Sequence, residues 1–420
     1  MSSLYKQFRL ALKGQSGELL GNVFSPSNPD MTSFAFSTNH ALVRKNVEYE
    51  LGNIATLRNE KSRTAWVEAF CGLWKVAYTL EREEEDGAWQ RAYEGQRETM
   101  QAIVRGYQSG QWSCWTLPVM YTACKYLRTI AIKSDEDRKR RGLKAEDLED
   151  AARHINRAFT LCISDRAPLE ESRKWGTYYI VNLLFKTYFK LNAITLSKNI
   201  LRALHATTGD MPALKDFPKS HIVTFKYYVG VISFLEEDYT KAEENLTAAF
   251  YLCHRDAIRN QELILTYLIP THLLTTHTLP TPALLARYPR LQTLFAPLCT
   301  TIKSGNLRAF DAALSNGEAE FVKRRIYLTL ERGRDIAMRN LFRKVYILGD
   351  KNTRIPVRTF QVAMGCAVDG EGGERVEVEV EEVECLLAGL VYKGLIKGYI
   401  SREKQMVVLS GSKAFPGTGV

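Results

Sequence analysis

Closely spaced metal ligands are missing from this sequence. Its seven histidines (40, 154, 205, 221, 254, 272 and 277) form no His-x-His and no His-Glu-x-x-His, so the ligand spacing of a zinc metalloprotease centre is absent. The eight cysteines (71, 114, 124, 162, 253, 299, 366 and 385) contain no Cys-x-x-Cys and mostly sit inside apolar helical patterns, which points to buried thiols in a reducing compartment. No apolar run approaches the roughly 20 residues of a membrane span, and the opening "MSSLYKQFRLALKGQSGELLG" lacks a secretory pattern. The Gly-rich stretch "DGEGGER" (369–375) is acidic and has no following Lys-Ser/Thr, so it reads as a flexible loop and not as a phosphate cradle. "CHRD" at 253–256 shares a string with kinase catalytic loops, but it lies in a helical pattern without the other kinase motifs. No cofactor, metal or catalytic site is expected, and no enzymatic activity.

What is present is an ordinary globular composition, 45% apolar and 25% charged, over 420 residues, enough for two or three domains. The net charge of +10 favours acidic partners, nucleic acid or an acidic protein. The chain reads as helical almost to residue 370. In "RTAWVEAFCGLWKVAYTLEREEE", Trp66, Ala69, Phe70, Leu73, Trp74 and Ala77 fall at spacings of three and four, one broad apolar face. Similar patterns recur at 97–132, 146–163, 172–190, 194–206, 219–236, 240–254, 258–275 and 319–348. The polar start at 14–39 and the charged stretch at 133–150 read as longer loops. Within the latter, "RKRR" at 138–141 reads equally as a nuclear import signal or a solvated loop.

An internal repeat supports a solenoid. "AARHINRAFTLC" (151–162) aligns with "AEENLTAAFYLC" (242–253), sharing Ala151/Ala242, Ala158/Ala249, Phe159/Phe250, Leu161/Leu252 and Cys162/Cys253. Small residues where helices cross, with a large Phe between them, suit stacked helical hairpins, and Gly230 in the preceding helix fits such a close approach.

The last ninety residues change character. After "RDIAMRNLFRKVYIL" (334–348), Pro356 is expected in a first helical turn, with Phe360, Met364 and Ala367 as one stripe. Val376, Val378 and Val380 alternate with glutamates, as in a short strand. A helix is then expected from 381, with Val383, Leu386, Leu387, Leu390 and Val391 inside and Lys393 and Gly394 closing it. The hairpin "LIKGYIS"–"REKQ"–"MVVLS" completes helix, helix, strand, helix, wing. That is a winged helix.

Its third helix is a poor DNA reader. Residues 369–384 hold eight acidic residues and one basic, and such a surface is repelled by phosphates. Positive charge gathers instead at 321–358, with eleven Lys/Arg against three acidic residues. Arg339, Arg343, Lys344, Lys351, Arg354 and Arg358, with Lys397, Arg402 and Lys404 on the wing, are the candidate contacts to a nucleic-acid backbone, Arg339 and Arg343 sharing a helical face. The alternative is a solvated helix face. The hairpin edge, with the apolar surface of Leu395, Tyr399 and Ile400 and the neighbouring Tyr392, is the candidate contact to a second subunit.

A helical-repeat region running into a winged helix is the organisation of PCI domains. "YYVGVISFLEEDYTKAEENLTAAFYLCHRDAIRNQELILTYLIPTHLL", "SGNLRAFDAAL", "YLTLERGRDIAMRNLFRKVYIL" and "LVYKGLIKGYIS" resemble the PCI proteins of the COP-nine signalosome subunit-twelve-like family and its relative in the TREX-two mRNA-export complex. The resemblance implies an all-α, tetratricopeptide-like solenoid followed by a winged helix with a small β-hairpin. The expected divisions are 1–215 (N-terminal repeats), 216–332 (helical part of the PCI domain), 333–410 (winged helix) and 411–420 (flexible tail). It further implies a non-enzymatic nuclear subunit that pairs with a second PCI protein through the winged helix. With a small acidic protein of the Sem/DSS type, that pair binds RNA and DNA with little sequence specificity and touches no membrane. The work of such complexes is transcription elongation, splicing or mRNA export, the last at the nuclear pore for the TREX-two relative. In "RKWGTYYIVNLLFKTYFKLNAITLSKN", Lys186 and Lys190 with Tyr178, Tyr188 and Phe189 are candidates for a groove taking the acidic partner, or else an aromatic core stripe with solvated lysines. A peptide-binding adaptor without nucleic-acid binding and a sequence-specific transcription factor are the competing readings.

Overall fold

The computed structural model describes residues 3–36, 41–54, 57, 59–109, 112–368 and 378–417. The chain forms two compact units, Met1–Tyr228 and Val229–Val420.

The first unit opens with four short helices, α1 (Ser3–Gly14), α2 (Gly17–Val23), α3 (Asp30–Phe36) and α4 (Val43–Gly52). Where a polar loop was expected at 14–39, Ser16 accepts a hydrogen bond from the Leu19 amide and starts α2. α2 and α3 are too short to show a period, whereas α1 (Leu4, Tyr5, Phe8, Ala11) and α4 (Val43, Val47, Leu51) each bury a helically spaced stripe, and Leu20, Phe24 and Phe34 are buried with them. They meet α5 (Glu60–Leu80), capped by Asn59. There Phe70 touches Phe8 and Phe24 at centroid distances of 5.0 and 4.9 Å, and Trp66 stacks on Trp112 at 3.9 Å. The six residues of the expected α5 stripe are all buried. The helical pattern over 97–132 resolves into α6 (Ala88–Gln108) and α7 (Leu117–Arg140), with Pro118 in the first turn of α7.

α7 also takes in residues 133–140 of the expected charged loop. Its polar residues are used in place: both Asp135 carboxylate oxygens accept amides at the start of α8 (Asp147–Ile163), from Asp147 at 2.9 Å and Leu148 at 3.1 Å. "RKRR" is therefore the end of a helix, with Arg138 Nε donating to the Lys144 carbonyl and Arg141 paired with Asp137 at 3.3 Å. α9 (Thr177–Lys190) and α10 (Ile194–Ala206) follow. The division between the units falls inside α11 (Lys219–Leu235), past the expected boundary at 215.

The second unit continues with α12 (Tyr239–Leu252), α13 (Ile258–Thr275), α14 (Pro282–Ala286), α15 (Pro289–Ser304) and α16 (Leu307–Asn316). The repeat is realised in packing: Ala151 and Ala158 of α8 and Ala242 and Ala249 of α12 are all fully buried. A Cβ on Gly230 would lie 2.6 Å from Leu246 Cγ, so only glycine lets the helices approach this closely. The expected helix 319–348 breaks into α17 (Glu318–Arg324), α18 (Tyr327–Glu331) and α19 (Arg334–Leu348). The first break is at Arg325, whose φ of 59° leaves the right-handed helix.

α19 leads into β1 (Arg354–Pro356), α20 (Val357–Val368), α21 (Val380–Tyr392), β2 (Gly398–Ser401) and β3 (Met406–Leu409), an antiparallel sheet ordered β1-β3-β2. This is a winged helix, but its first strand precedes the second helix rather than the third. Pro356 ends β1, an edge strand where its missing N–H costs no ladder bond. Val380 opens α21, Val378 is buried in the connecting coil, and Val376 lies outside the described residues. The core joins Phe342 to Phe360 (5.1 Å) and buries Val383, Leu387, Leu390, Ile396, Val407 and Leu409. Gly394, at φ 71°, closes α21 as expected.

Residues 411–417 do not form a free tail. The Lys397 amide donates to the Ala414 carbonyl at 2.7 Å, Ala414 is buried, and the Phe415 ring lies 5.6 Å from Tyr346. Among the described residues, no helix is long and apolar enough to cross a membrane.

Candidate protein and nucleic-acid interfaces

Cross-strand register sorts the wing into two faces. Arg354, Val408 and Tyr399 are opposite one another on the outer face, and Ile355, Val407 and Ile400 on the inner face. Ile355 and Val407 are buried, so Ile400 belongs to the side facing the domain's own core. Leu395 is also buried, only 5% exposed. Ile400, half-buried, turns inward because neighbouring strand residues point to opposite faces, and Leu395 is buried ahead of β2, so neither side chain presents the outward apolar surface expected of it. Tyr392 (92% exposed) and Tyr399 (63%) do project outward. The Ser410 amide donates to the Lys397 carbonyl. This places Lys397, Tyr399 and Ser401 in the hydrogen-bonded pairs and turns the amide and carbonyl of Gly398 and Ile400 to the free edge of β2.

The cations separate in the same way. Arg343, Lys351, Arg354, Arg358, Lys397, Arg402 and Lys404 are exposed. Lys344 is exposed too, its ammonium donating to the Ser304 carbonyl. Arg402 approaches Glu384 at 3.9 Å, a weak surface pair. Along the chain, Lys351, Arg354 and Lys397 belong to the Leu409 end of the short sheet, and Arg358, Arg402 and Lys404 to its Met406 end. Arg339 is different. It is 3% exposed, donating to Asn340 Oδ1 at 2.6 Å and to the Pro416 carbonyl at 2.7 Å. A guanidinium so covered does not reach a phosphate in this conformation, and the sequence assignment of Arg339 to the exposed patch is corrected.

The third helix of the motif, α21, exposes Glu381, Glu382, Cys385, Ala388 and Tyr392. Its closing Lys393 is held by Asp335 at 2.6 Å. No exposed position on it offers a cation to phosphates.

On α9 the aromatic residues are mostly committed to packing. Tyr178 meets Phe217 and Phe225 edge-on at 4.6 and 4.8 Å, Phe189 meets Tyr228 at 5.1 Å, and Tyr188 is only 6% exposed. They form the seam with α11 and its approach rather than an open groove, the plainer of the two sequence readings. Lys186 and Lys190 are exposed. Sequence inspection missed Arg128 of α7, whose Nη2 donates to the Lys186 carbonyl at 3.3 Å and whose Nε has no partner. Enclosure, and next the Arg128 guanidinium, lower the Lys186 pKa. Only the spatial neighbourhood of two helices reveals this pair, which no acidic side chain among the described residues neutralises.

A cavity of about 700 Å³ opens among α13, α15 and α17, with Leu294 and Phe295 in its wall and Arg259, Arg290 and Arg324 around it. Arg290 is taken by Glu320 at 2.6 Å. Among the described residues no three His, Cys, Asp or Glu side chains gather as metal ligands. Burial pushes the Cys162 thiol up to about 12 and Cys299 to about 11, keeping both protonated near neutrality.

Comparison with known proteins agrees with this architecture. The PCI domain family matches residues 314–410, from α16 to the end of β3. The "Protein CSN12 homolog" of Neurospora crassa is 47% identical over the full length of both chains. The protein of the same name from Schizosaccharomyces pombe is 43% identical over 76% of each chain. "PCI domain-containing protein 2" of Xenopus laevis is 38% identical over 76% of this chain and 77% of its own.

Proposed function

Because the chain belongs to the family of CSN12 homologues and PCI domain-containing protein 2, we propose that it is a non-enzymatic scaffold subunit. It pairs with a second PCI protein through the winged helix, and the pair binds nucleic acid by its backbone in transcription elongation, splicing or mRNA export. The observation that carries this reading is the division of the winged helix into unlike surfaces. α21, which would enter a major groove, exposes glutamates and a tyrosine. The wing and β1 carry exposed cations without base-reading geometry, and the outward tyrosines and the β2 edge suit a protein. The cationic cluster of Arg128, Lys186 and Lys190 is the place for a small acidic partner of the Sem/DSS type, held by charge rather than in an aromatic groove. Nuclear residence follows from such work.

Binding of fluorescent DNA and RNA oligonucleotides, titrated with salt, tests the nucleic-acid arm. Reversing Arg358, Arg402 and Lys404 to Glu should weaken binding for every sequence. It should also flatten the dependence of log K on log salt by about 0.9 for each phosphate no longer neutralised. Strong sequence preference favours a transcription factor instead, and no binding by the chain with its PCI partner favours a peptide adaptor.

A further inference from the structure

Arg339 is a buried cation with no counter-anion among the described residues. Its partners are neutral, the Asn340 amide oxygen and the Pro416 carbonyl, and its Nε has no partner. One turn along α19 stands Arg343, exposed and likewise without a carboxylate among the described residues. Two like charges four residues apart on a helix repel, and burying one of them without an anion is unfavourable.

What covers Arg339 is the C-terminal segment. The Phe415 ring lies 5.6 Å from the Arg339 guanidinium carbon and 5.6 Å from the Tyr346 ring. Arg339, Arg343 and Tyr346 follow one another at spacings of four and three, so they share one face of α19, and Phe415 and Pro416 lie along it. The family match ends at 410, so the covering residues lie beyond the matched domain. Among the described residues they are held by the Lys397–Ala414 hydrogen bond, the buried Ala414 side chain, the Arg339–Pro416 hydrogen bond and the Phe415 ring. An anionic phosphate oxygen is a stronger acceptor for a guanidinium than a neutral carbonyl.

We propose that the tail is a displaceable cover over a phosphate-binding pair, Arg339 and Arg343, and that a nucleic-acid backbone competes with the Pro416 carbonyl for Arg339. The proposal rests on the reading that this domain binds nucleic acid, and it adds a means of regulating that binding. Anything that lifts the tail, a partner subunit or a modification near 411–417, uncovers one more phosphate contact beside Arg343.

The test compares the full chain with a chain ending at Ser410, using fluorescein-labelled 20-nucleotide RNA and DNA over a range of salt. The shortened chain should bind several-fold tighter, with a salt slope steeper by about 0.9, one added phosphate. Arg339→Gln in the shortened chain should remove that gain. If the shortened chain loses its cooperative melt, Phe415→Ser in the full chain carries the same comparison, with circular dichroism confirming the fold. Equal affinity and slope with and without the cover overturns the proposal while leaving nucleic-acid binding standing, and so does a gain that survives Arg339→Gln. No binding by any of these proteins overturns both.

Discussion

Two glycines inside helices of the second unit allow packing to be separated from helix propensity. Gly230 in α11 faces Leu246, where an added Cβ would lie 2.6 Å from Cγ and 2.9 Å from Cδ2, and Leu246 is fully buried and cannot swing aside. Gly389 in α21 has nothing within 4 Å of its Cβ position. Replacing either by Ala gains about 1 kcal/mol of helix propensity. At Gly389 that gain should appear whole. At Gly230 it is opposed by overpacking of roughly 1–3 kcal/mol, leaving a net loss of about 1 kcal/mol, so the two variants should differ by about 2 kcal/mol. Leu246→Ala supplies the control. Alone it costs about 2–5 kcal/mol through the cavity it leaves, but on that background Gly230→Ala should turn neutral or stabilising. Urea unfolding followed by circular dichroism measures all four proteins, and because both glycines lie in one compact unit the same transition reports on each. A Gly230→Ala protein as stable as Gly389→Ala would refute the close approach of α11 and α12 and, with it, the packing role assigned to the repeat.

The remaining predictions concern charge, pH and pairing. Burial lowers the pKa of His154 and His221 below the usual 6.5. The unfolded chain therefore takes up protons first as pH falls, and the melting temperature should drop from about pH 6.5 downward; His221→Gln should flatten that drop, and an unchanged pH profile would count against its burial. Lys186→Glu with Lys190→Glu should reduce capture of a Sem-type protein in pull-down while changing stability by less than about 1 kcal/mol, since the carboxylate introduced at position 186 would face Arg128 at the surface; loss of fold would show the lysines to be structural. Tyr392→Arg with Tyr399→Arg should break co-purification with the PCI partner while the isolated chain keeps its melting temperature, because both side chains point outward; full-stoichiometry pairing would move an interface of at least ~1,000 Å² elsewhere.

The long amphipathic helices, the glycine stop after α21 and the hairpin wing were readable because each depends on residues within a few positions of one another, and the alanine repeat because its spacing recurs in two segments of the chain. Features that depend on distant partners were not. β1 is three residues long, too short for alternation to show, and exists because β3 lies beside it. Helical spacing correctly placed Arg339 beside Arg343, but the group that covers it is 77 residues away at Pro416. Arg128 likewise matters only because Lys186, 58 residues on, comes to rest against it. Ile400 lies on the inner face of the sheet for a local reason: successive strand residues such as Tyr399 and Ile400 point to opposite sides.

The sheet order β1-β3-β2 also fixes when the wing can form during synthesis. The central strand, Met406–Leu409, is the last of the three to leave the ribosome, after both strands it joins. Until it arrives, β1 and β2 have no neighbour and the β2 edge that would receive a partner has no defined register. A nascent or prematurely terminated chain thus presents helices but no finished wing, and the pairing proposed above would have to wait until translation has passed Leu409.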